Sequence, residues 1–432
     1  MKILWLVSIT LPAAAAACGL PAAEVSGGWL TGQLDALCAL PNAPGLTICS
    51  IDARVSACQT GGQAGESLRF AILPAATPDA FTALLQAEHP DLVHIWGTEY
   101  TAARVLQQAA RAQGLPVLVG IQGVMRDCAA HLCDGVPAPY LKSCALQRLI
   151  DKVIPGALLD QSQANFDALA KSEAALLAEA RHVTGRTPHY DRVAAGALAP
   201  HAHYWFCNET LRPLFYAAPR WAPHAFAAAP TLLLCQGNYP LKNLHTVLQA
   251  LPAILRQYPG ARLEIAGWPP LEKGPLLRPI IDWMFPYQRY CKRLVRELGL
   301  ASHLHYTGPL QAEAMRDAFL RADVLLLPSS CENSPNGLGE AMLLGVPCVA
   351  SRMGGIPDLL ESGREGLLYG PAGDAAALAG AVREILALPD HGAALGQAAR
   401  RRACATHDAA ANANALLGIY QAILAGAGED AE

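Results

Sequence analysis

The residues best suited to chemistry lie in one stretch, Leu327-Pro328-Ser329-Ser330-Cys331-Glu332-Asn333-Ser334-Pro335-Asn336-Gly337-Leu338-Gly339-Glu340-Ala341-Met342. Its apolar lead-in reads as a strand ending at Pro328, Glu332 falls in a loop, and Ser334 with Pro335 reads as the N-cap and first position of a helix. A helix start presents main-chain N–H groups, here around Pro335 to Leu338, and these suit an anionic phosphate. Two carboxylates flank that start, Glu332 in the loop and Glu340 inside the helix. They suit hydroxyl groups, as on a sugar and a ribose. The Glu-x7-Glu spacing alone means little in a chain with 36 Asp and Glu. Outside this setting Glu340 would read as a solvated helix carboxylate.

The elements that must position these residues form a regular series. From Thr231 onward, strand-length apolar runs at 231–236, 262–266, 303–307, 324–328, 348–351 and 366–369 alternate with helix-length segments near 243–257, 287–299, 311–321, 336–344, 355–362 and 373–388. Such alternation predicts an α/β domain with a doubly wound parallel sheet. The first half repeats the theme, with strands at 2–8, 46–51, 68–73, 92–96, 116–121, 182–184 and 204–207 and helices at 99–113 and 160–179. The expected organisation is two Rossmann-like domains facing across a cleft: residues 1–216, a linker rich in Ala and Pro at 217–230, and residues 231–411. A final helix, about 412–426, is expected to pack back on the first domain.

The 432 residues are 52% hydrophobic and 16% charged, with formal net charge -4. The chain lacks the basic field that nucleic-acid binding needs. Residues 1–18 read as a first strand entering a loop rather than a secretory leader, because Pro12 interrupts the apolar run and Lys2 is the sole early cation. No other window offers the roughly 20 consecutive apolar residues of a membrane span. Thirteen cysteines without a C-x-x-C pair read as reduced core thiols, which places the protein in the cytoplasm.

Taken with Ala341-Met342, Gly345-x-Pro347, Ala350-Ser351 and Gly354-Gly355-Ile356-Pro357, the Glu-x7-Glu stretch resembles the retaining glycosyltransferases of family 4, which have the GT-B fold. The likeness extends to Pro90-Asp91-Leu92-Val93-His94 and to the tail. It implies transfer of a sugar from a nucleotide-diphosphate sugar to a glycan or lipid-linked acceptor, expected in surface polysaccharide assembly, without metal or cofactor. Glu340 then matches the glutamate that binds the ribose, and Glu332 the one beside the donor sugar. Asn333, Ser334, Asn336, Gly337 and Leu338 would meet sugar and diphosphate through their backbones.

In Gly237-Asn238-Tyr239-Pro240-Leu241-Lys242-Asn243, Lys242 matches the lysine that neutralises the departing diphosphate. Asn238 stands where the family carries arginine. A lysine acts as a point charge where arginine gives a bidentate fork, so another cation is expected to help, with Arg186 as the candidate. Gly27 and Gly28 stand where a glycine-rich loop closes on the donor and acceptor. Gln122, where relatives carry histidine, can only hydrogen-bond. That suits front-face attack, in which the leaving phosphate takes the acceptor proton.

Cys128, His131, Cys133, Asp134 and Cys144 offer zinc-ligand types without a zinc spacing, and no metal is expected there. The aromatic, basic stretch 276–294 reads as a packed helix. Residues 140–159, carrying Lys142, Arg148 and Lys152 among apolar side chains, are the better candidate for contact with the inner face of a membrane. Two other classes stay open, a non-catalytic nucleotide-sugar binding protein and a nucleotide-sugar epimerase of the same fold.

Overall fold

The computed structural model describes residues 1–21, 28–62, 67–153, 158–224, 229–237, 239–267, 269–270 and 278–426. The chain divides into two compact units. The first comprises Met1–Arg126, Ala168–Arg212 and the chain from His407 on; the second comprises Asp127–Asp167 and Pro213–Thr406.

The first unit is built on eight strands, β1 (Lys2–Val7), β2 (Gly45–Ile51), β3 (Gln59–Gly61), β4 (Leu68–Leu73), β5 (Leu92–Trp96), β6 (Val117–Gly120), β7 (His182–Gly185) and β8 (His203–Phe206). Their order is β3-β4-β2-β1-β5-β6-β7-β8. Every pairing is parallel except that of β3 with β4. Successive strand residues point to opposite faces, and β1 shows what this requires of a central strand. Leu4 and Leu6 join one apolar layer, Ile3, Trp5 and Val7 the other, and the run carries no polar face.

The helix Ala409–Leu424 completes the second of these layers with Leu416, Leu417, Tyr420 and Ile423. Tyr420 is fully buried, and its hydroxyl accepts from Trp5 Nε1 at 2.9 Å and meets His94 Nδ1 at 2.7 Å. A buried aromatic with its polar tip satisfied in this way is an anchor. After β1 the chain forms a short helix, Pro12–Ala17, in place of the expected loop. Pro12 opens it at a position where its missing N–H costs nothing.

The second unit has six parallel strands, β9 (Thr231–Leu234), β10 (Arg262–Ala266), β11 (Leu304–Gly308), β12 (Val324–Leu327), β13 (Cys348–Ser351) and β14 (Leu367–Tyr369), in the order β11-β10-β9-β12-β13-β14. One stretch assigned from sequence to the first half packs here instead. Val136, Tyr140 and Leu159 lie in one core cluster with Leu244, Val247, Leu251 and Tyr290. The described part of the expected linker is anchored to the second unit. Trp221 is buried, donating from Nε1 to the Ala322 carbonyl at 2.7 Å and from its main chain to Leu344 at 2.8 Å. Composition suggested a spacer, but Trp221 binds the segment to its unit. Just before it, Phe215, assigned from sequence to the first half, is fully buried against Phe319 in the second unit, with ring centroids 6.0 Å apart.

Candidate active site

Where a parallel sheet is wound in two directions, the loops leaving the two strands at the reversal diverge and make room for a ligand at the carboxyl ends. In the second unit those neighbours are β9 and β12. The loop after β9 carries Lys242 and the loop after β12 carries Glu332. Two hydrogen bonds stitch these loops together: Ser330 N to the Leu241 carbonyl at 2.8 Å, and Asn243 Nδ2 to the Pro328 carbonyl at 3.0 Å. Asn243 is left-handed, with φ 56 and ψ 35, a conformation asparagine tolerates better than most residues. Nothing in the sequence marked that cross-link.

Lys242 Nζ donates to Glu332 Oε1 at 2.5 Å, and Ser329 Oγ donates to the same oxygen at 2.7 Å. The Ser329 carbonyl is itself fixed by Ser351 Oγ at 2.6 Å. Burial works against the charge on Lys242, but the Glu332 carboxylate more than offsets it, and the lysine titrates above its usual range. A cation is therefore held at this point at any physiological pH. Gly355 N donates to the Glu332 carbonyl at 3.0 Å. Gly354 beside it has φ +53, and a Cβ there would overlap that same carbonyl oxygen. Gly354 is thus required by close approach to the Glu332 loop.

The helix Asn336–Leu344 begins one residue later than Ser334 and Pro335 suggested. Pro335, with φ -73 and ψ 111, is extended and serves as the N-cap itself. Its carbonyl accepts from Leu338 N at 2.9 Å, so Leu338 is not among the amides that lead the helix. Leu338 is fully buried and contributes packing. Asn336 and Gly337 supply the leading N–H groups. Asn333 and Ser334 are buried just before them, and Glu340 is 3% exposed, which removes its reading as a solvated helix carboxylate. Gly237 lies so close to β10 that a Cβ would meet Ile265 Cγ2 at 2.6 Å. Asn238 and Gly27 lie outside the described residues.

The remaining candidates belong to the first unit. Arg186 is not a spare cation. Its guanidinium donates to Glu209 Oε2 at 2.5 Å and to the Gln122 carbonyl, and lies 5.5 Å from the Trp29 ring centroid. Both partners of this ion pair are buried, so the charge is neutralised where it stands. Gln122 and Arg186 are therefore neighbours, joined through main chain. Gly28 opens the helix Gly28–Cys38 against the aliphatic part of Arg212, which leaves no room for a Cβ.

Glu173 carries no mark in the sequence; it is 1% exposed on the helix Leu159–Ala178. Burial raises its carboxyl to about 7, against the opposing effect of hydrogen bonds from Thr98 Oγ1 at 2.5 Å and Met125 N at 2.8 Å.

Among the described residues no three His, Cys, Asp or Glu side chains could hold a metal ion. Instead His131 Nδ1 pairs with Asp134 Oδ2 at 2.7 Å. In the aromatic, basic stretch, Met284, Tyr287 and Tyr290 are buried and Arg289 and Arg293 stack on Tyr140 at 5.0 and 5.4 Å. The segment before it in the chain differs: Leu146, Leu149 and Val153 are 57%, 62% and 80% exposed. No helix among the described residues is long and apolar enough to cross a membrane.

Two parallel-sheet Rossmann-like units define an α/β fold shared with GT-B glycosyltransferases. Sucrose-phosphate synthase from Thermosynechococcus elongatus superposes with a TM-score of 0.69 at 19% identity, covering 99% of this chain and 100% of that one. Within the chain, residues 223–402 match the family described as glycosyl transferases group 1. The GDP-mannose-dependent alpha-(1-6)-phosphatidylinositol monomannoside mannosyltransferase of Mycolicibacterium smegmatis is 30% identical over 178 residues, 40% of this chain and 42% of that protein. Glycogen synthase of Mycobacterium tuberculosis is 34% identical over 211 residues, 48% and 46% of the two chains. The matched stretch spans less than half the length of either relative.

Proposed function

We propose that the protein is a retaining, metal-independent glycosyltransferase that moves a sugar from a nucleotide-diphosphate donor to a glycan or lipid-linked acceptor. The observation that carries this reading is the Lys242–Glu332 pair at the sheet reversal, 2.5 Å apart, beside the start of the helix Asn336–Leu344. When the bond from the anomeric carbon to the diphosphate breaks, charge develops on the leaving oxygen. A preorganised cation and helix amides at that point stabilise it. Lys242 fills the first role, and Asn336 and Gly337 the second. Glu332, with one oxygen held by Lys242 and Ser329, directs its carboxylate to the sugar hydroxyls, and Glu340 takes the ribose. The acceptor hydroxyl attacks from the face the leaving group departs, and its proton passes to the departing phosphate oxygen. This route needs no protein base and no cofactor.

The similarity of residues 223–402 to glycosyl transferases group 1 supports the donor class, as does the GDP-mannose named for one relative. A lipid-linked acceptor on the cytoplasmic face of a membrane, in surface polysaccharide assembly, is favoured by the exposed Leu146, Leu149 and Val153 beside Lys142, Arg148 and Lys152. Binding to anionic vesicles in a salt-sensitive manner checks that part.

The decisive experiment measures donor hydrolysis and protection against heat across UDP-, GDP-, ADP- and TDP-sugars, with Glu332→Ala as control. Selective protection, with hydrolysis lost in the variant, is expected. Protection without hydrolysis or transfer to any offered acceptor would favour a non-catalytic binding protein of the same fold.

A further inference from the structure

Thirteen thiols are distributed over the chain, none of them bonded to another. Four of the buried ones have no path to chemistry. Burial pushes Cys207 and Cys291 up to about 12 and raises Cys49 and Cys348 further, which keeps these sulfurs protonated. Cys128 and Cys331 differ. They are 203 positions apart in sequence, yet their sulfurs lie 3.6 Å apart. Cys331 immediately precedes Glu332 and is 6% exposed, whereas Cys128, on the helix Met125–His131, is partly open to solvent. Leu132, Leu241, Phe166 and Tyr239 wall the pair. Cys128 also lies within electrostatic reach of the Lys242 ammonium.

We propose that Cys128 and Cys331 are a covalent modification site, closed to a disulfide by exchange with a low-molecular-weight disulfide. Cys128, as the accessible sulfur, attacks one sulfur of the reagent and expels the first small thiolate. Cys331 then attacks the Cys128 sulfur of the mixed disulfide and expels the second. The protein gives up two protons and two electrons, and the reagent is reduced to two thiols. Closing the gap from 3.6 Å to a bond of about 2.05 Å draws Cys331 towards Cys128 and takes Glu332 with it. The Glu332 carboxylate and carbonyl are both committed, to Lys242 and Ser329 on one side and Gly355 on the other. A shift of about 1 Å at such a site lowers turnover by about 100-fold. This second consequence rests on the glycosyl-transfer reading; the disulfide itself does not.

The test treats the folded full-length protein with excess glutathione disulfide, quenches in acid, alkylates and maps the peptides. A species joining the Cys128 and Cys331 peptides, two hydrogens lighter than their sum, is expected in the parent and in Cys133→Ser, and is absent from Cys128→Ser. Recovery of both cysteines alkylated, or only as glutathione adducts, while exposed Cys38, Cys58 or Cys404 has reacted, overturns the site. In parallel, turnover of the donor found in the panel falls at least about 10-fold on oxidation, returns with dithiothreitol, and is unaffected in Cys128→Ser. A linked protein with undiminished turnover refutes the effect on Glu332. Because the peptide map requires no turnover, an inactive chain leaves the disulfide test intact.

Discussion

At the reversal of the second sheet, between β9 and β12, the departing loops carry Lys242 and Glu332 beside a helix start. At the reversal of the first, between β1 and β5, the loop after Trp96 carries Thr98 and Glu99, with Glu173 bonded to Thr98. The two sheets share an architecture and place loops in corresponding positions, yet one carries a lysine–glutamate ion pair and the other two carboxyl groups, of which Glu173 is buried. The first unit does contain a well-placed arginine, Arg186, but Glu209 consumes its charge internally. Winding direction determines where a ligand can sit, and the loop residues determine whether anything there attracts one. In the second unit the ion pair Lys242–Glu332 ties together the two loops at the reversal. In the first, the pair Arg186–Glu209 is part of the framework.

That contrast can be broken experimentally. Arg186→Met removes the partner of a buried carboxylate and is expected to destabilise by about 3–5 kcal/mol, read as a lower denaturant midpoint. The folded fraction should bind nucleotide sugar as the parent does, and loss of binding without loss of stability would instead make Arg186 a ligand contact. Lys242→Ala should do the reverse, reducing turnover by about 100- to 1000-fold while the unfolding transition changes far less. Parent-like turnover would remove Lys242 from the site.

Glu173 sharpens the comparison through pH. Its carboxyl is raised from 4.5 to about 7 in the folded protein, so the native state holds this proton more tightly than the unfolded chain. The associated stability is complete below about pH 4.5 and is lost as pH rises to 7, by roughly 3 kcal/mol. Urea unfolding at intervals across that range should show the decline in the parent and a flatter profile in Glu173→Gln. Equal slopes would show that Glu173 does not titrate there. The smallest effect is expected of Glu340→Ala, a loss of one charged hydrogen-bonding group worth about 1.5–3 kcal/mol. This appears as weaker nucleotide binding by about 10- to 100-fold, with turnover at saturation nearly preserved.

The strands were legible because a parallel sheet buried on both faces demands continuous apolar runs, and the runs at 68–73, 92–96, 262–266 and 348–351 agree with β4, β5, β10 and β13 residue for residue. β3 escaped notice: three residues, Gln-Thr-Gly, at an antiparallel edge carry no such pattern. Around Glu332 the glycines and prolines followed a readable order, but what holds the carboxylate did not. Ser329 is an ordinary serine until its hydroxyl is seen on Oε1, and Asn243 an ordinary asparagine until its left-handed backbone is known. Arg186 was misjudged for the same reason. A sequence displays its charge and hides Glu209, the group that cancels it. Trp221 was lost among alanines and prolines because composition averages over the one side chain that anchors the segment.

The path of the chain has a consequence for its synthesis. It passes from one unit to the other after residues 126, 167, 212 and 406, and Tyr420, from the last of these stretches, fills the layer beneath Trp5 and His94. Strands β1 to β6 therefore leave the ribosome well before the helix that packs on them. Until the helix Ala409–Leu424 has emerged, one face of the first sheet lacks part of its cover, whereas every piece of the second unit is already available by Thr406. The half of the protein translated second is the half able to finish folding first, and a nascent chain stalled near residue 406 would present an apolar layer around Trp5 to the cell's chaperones.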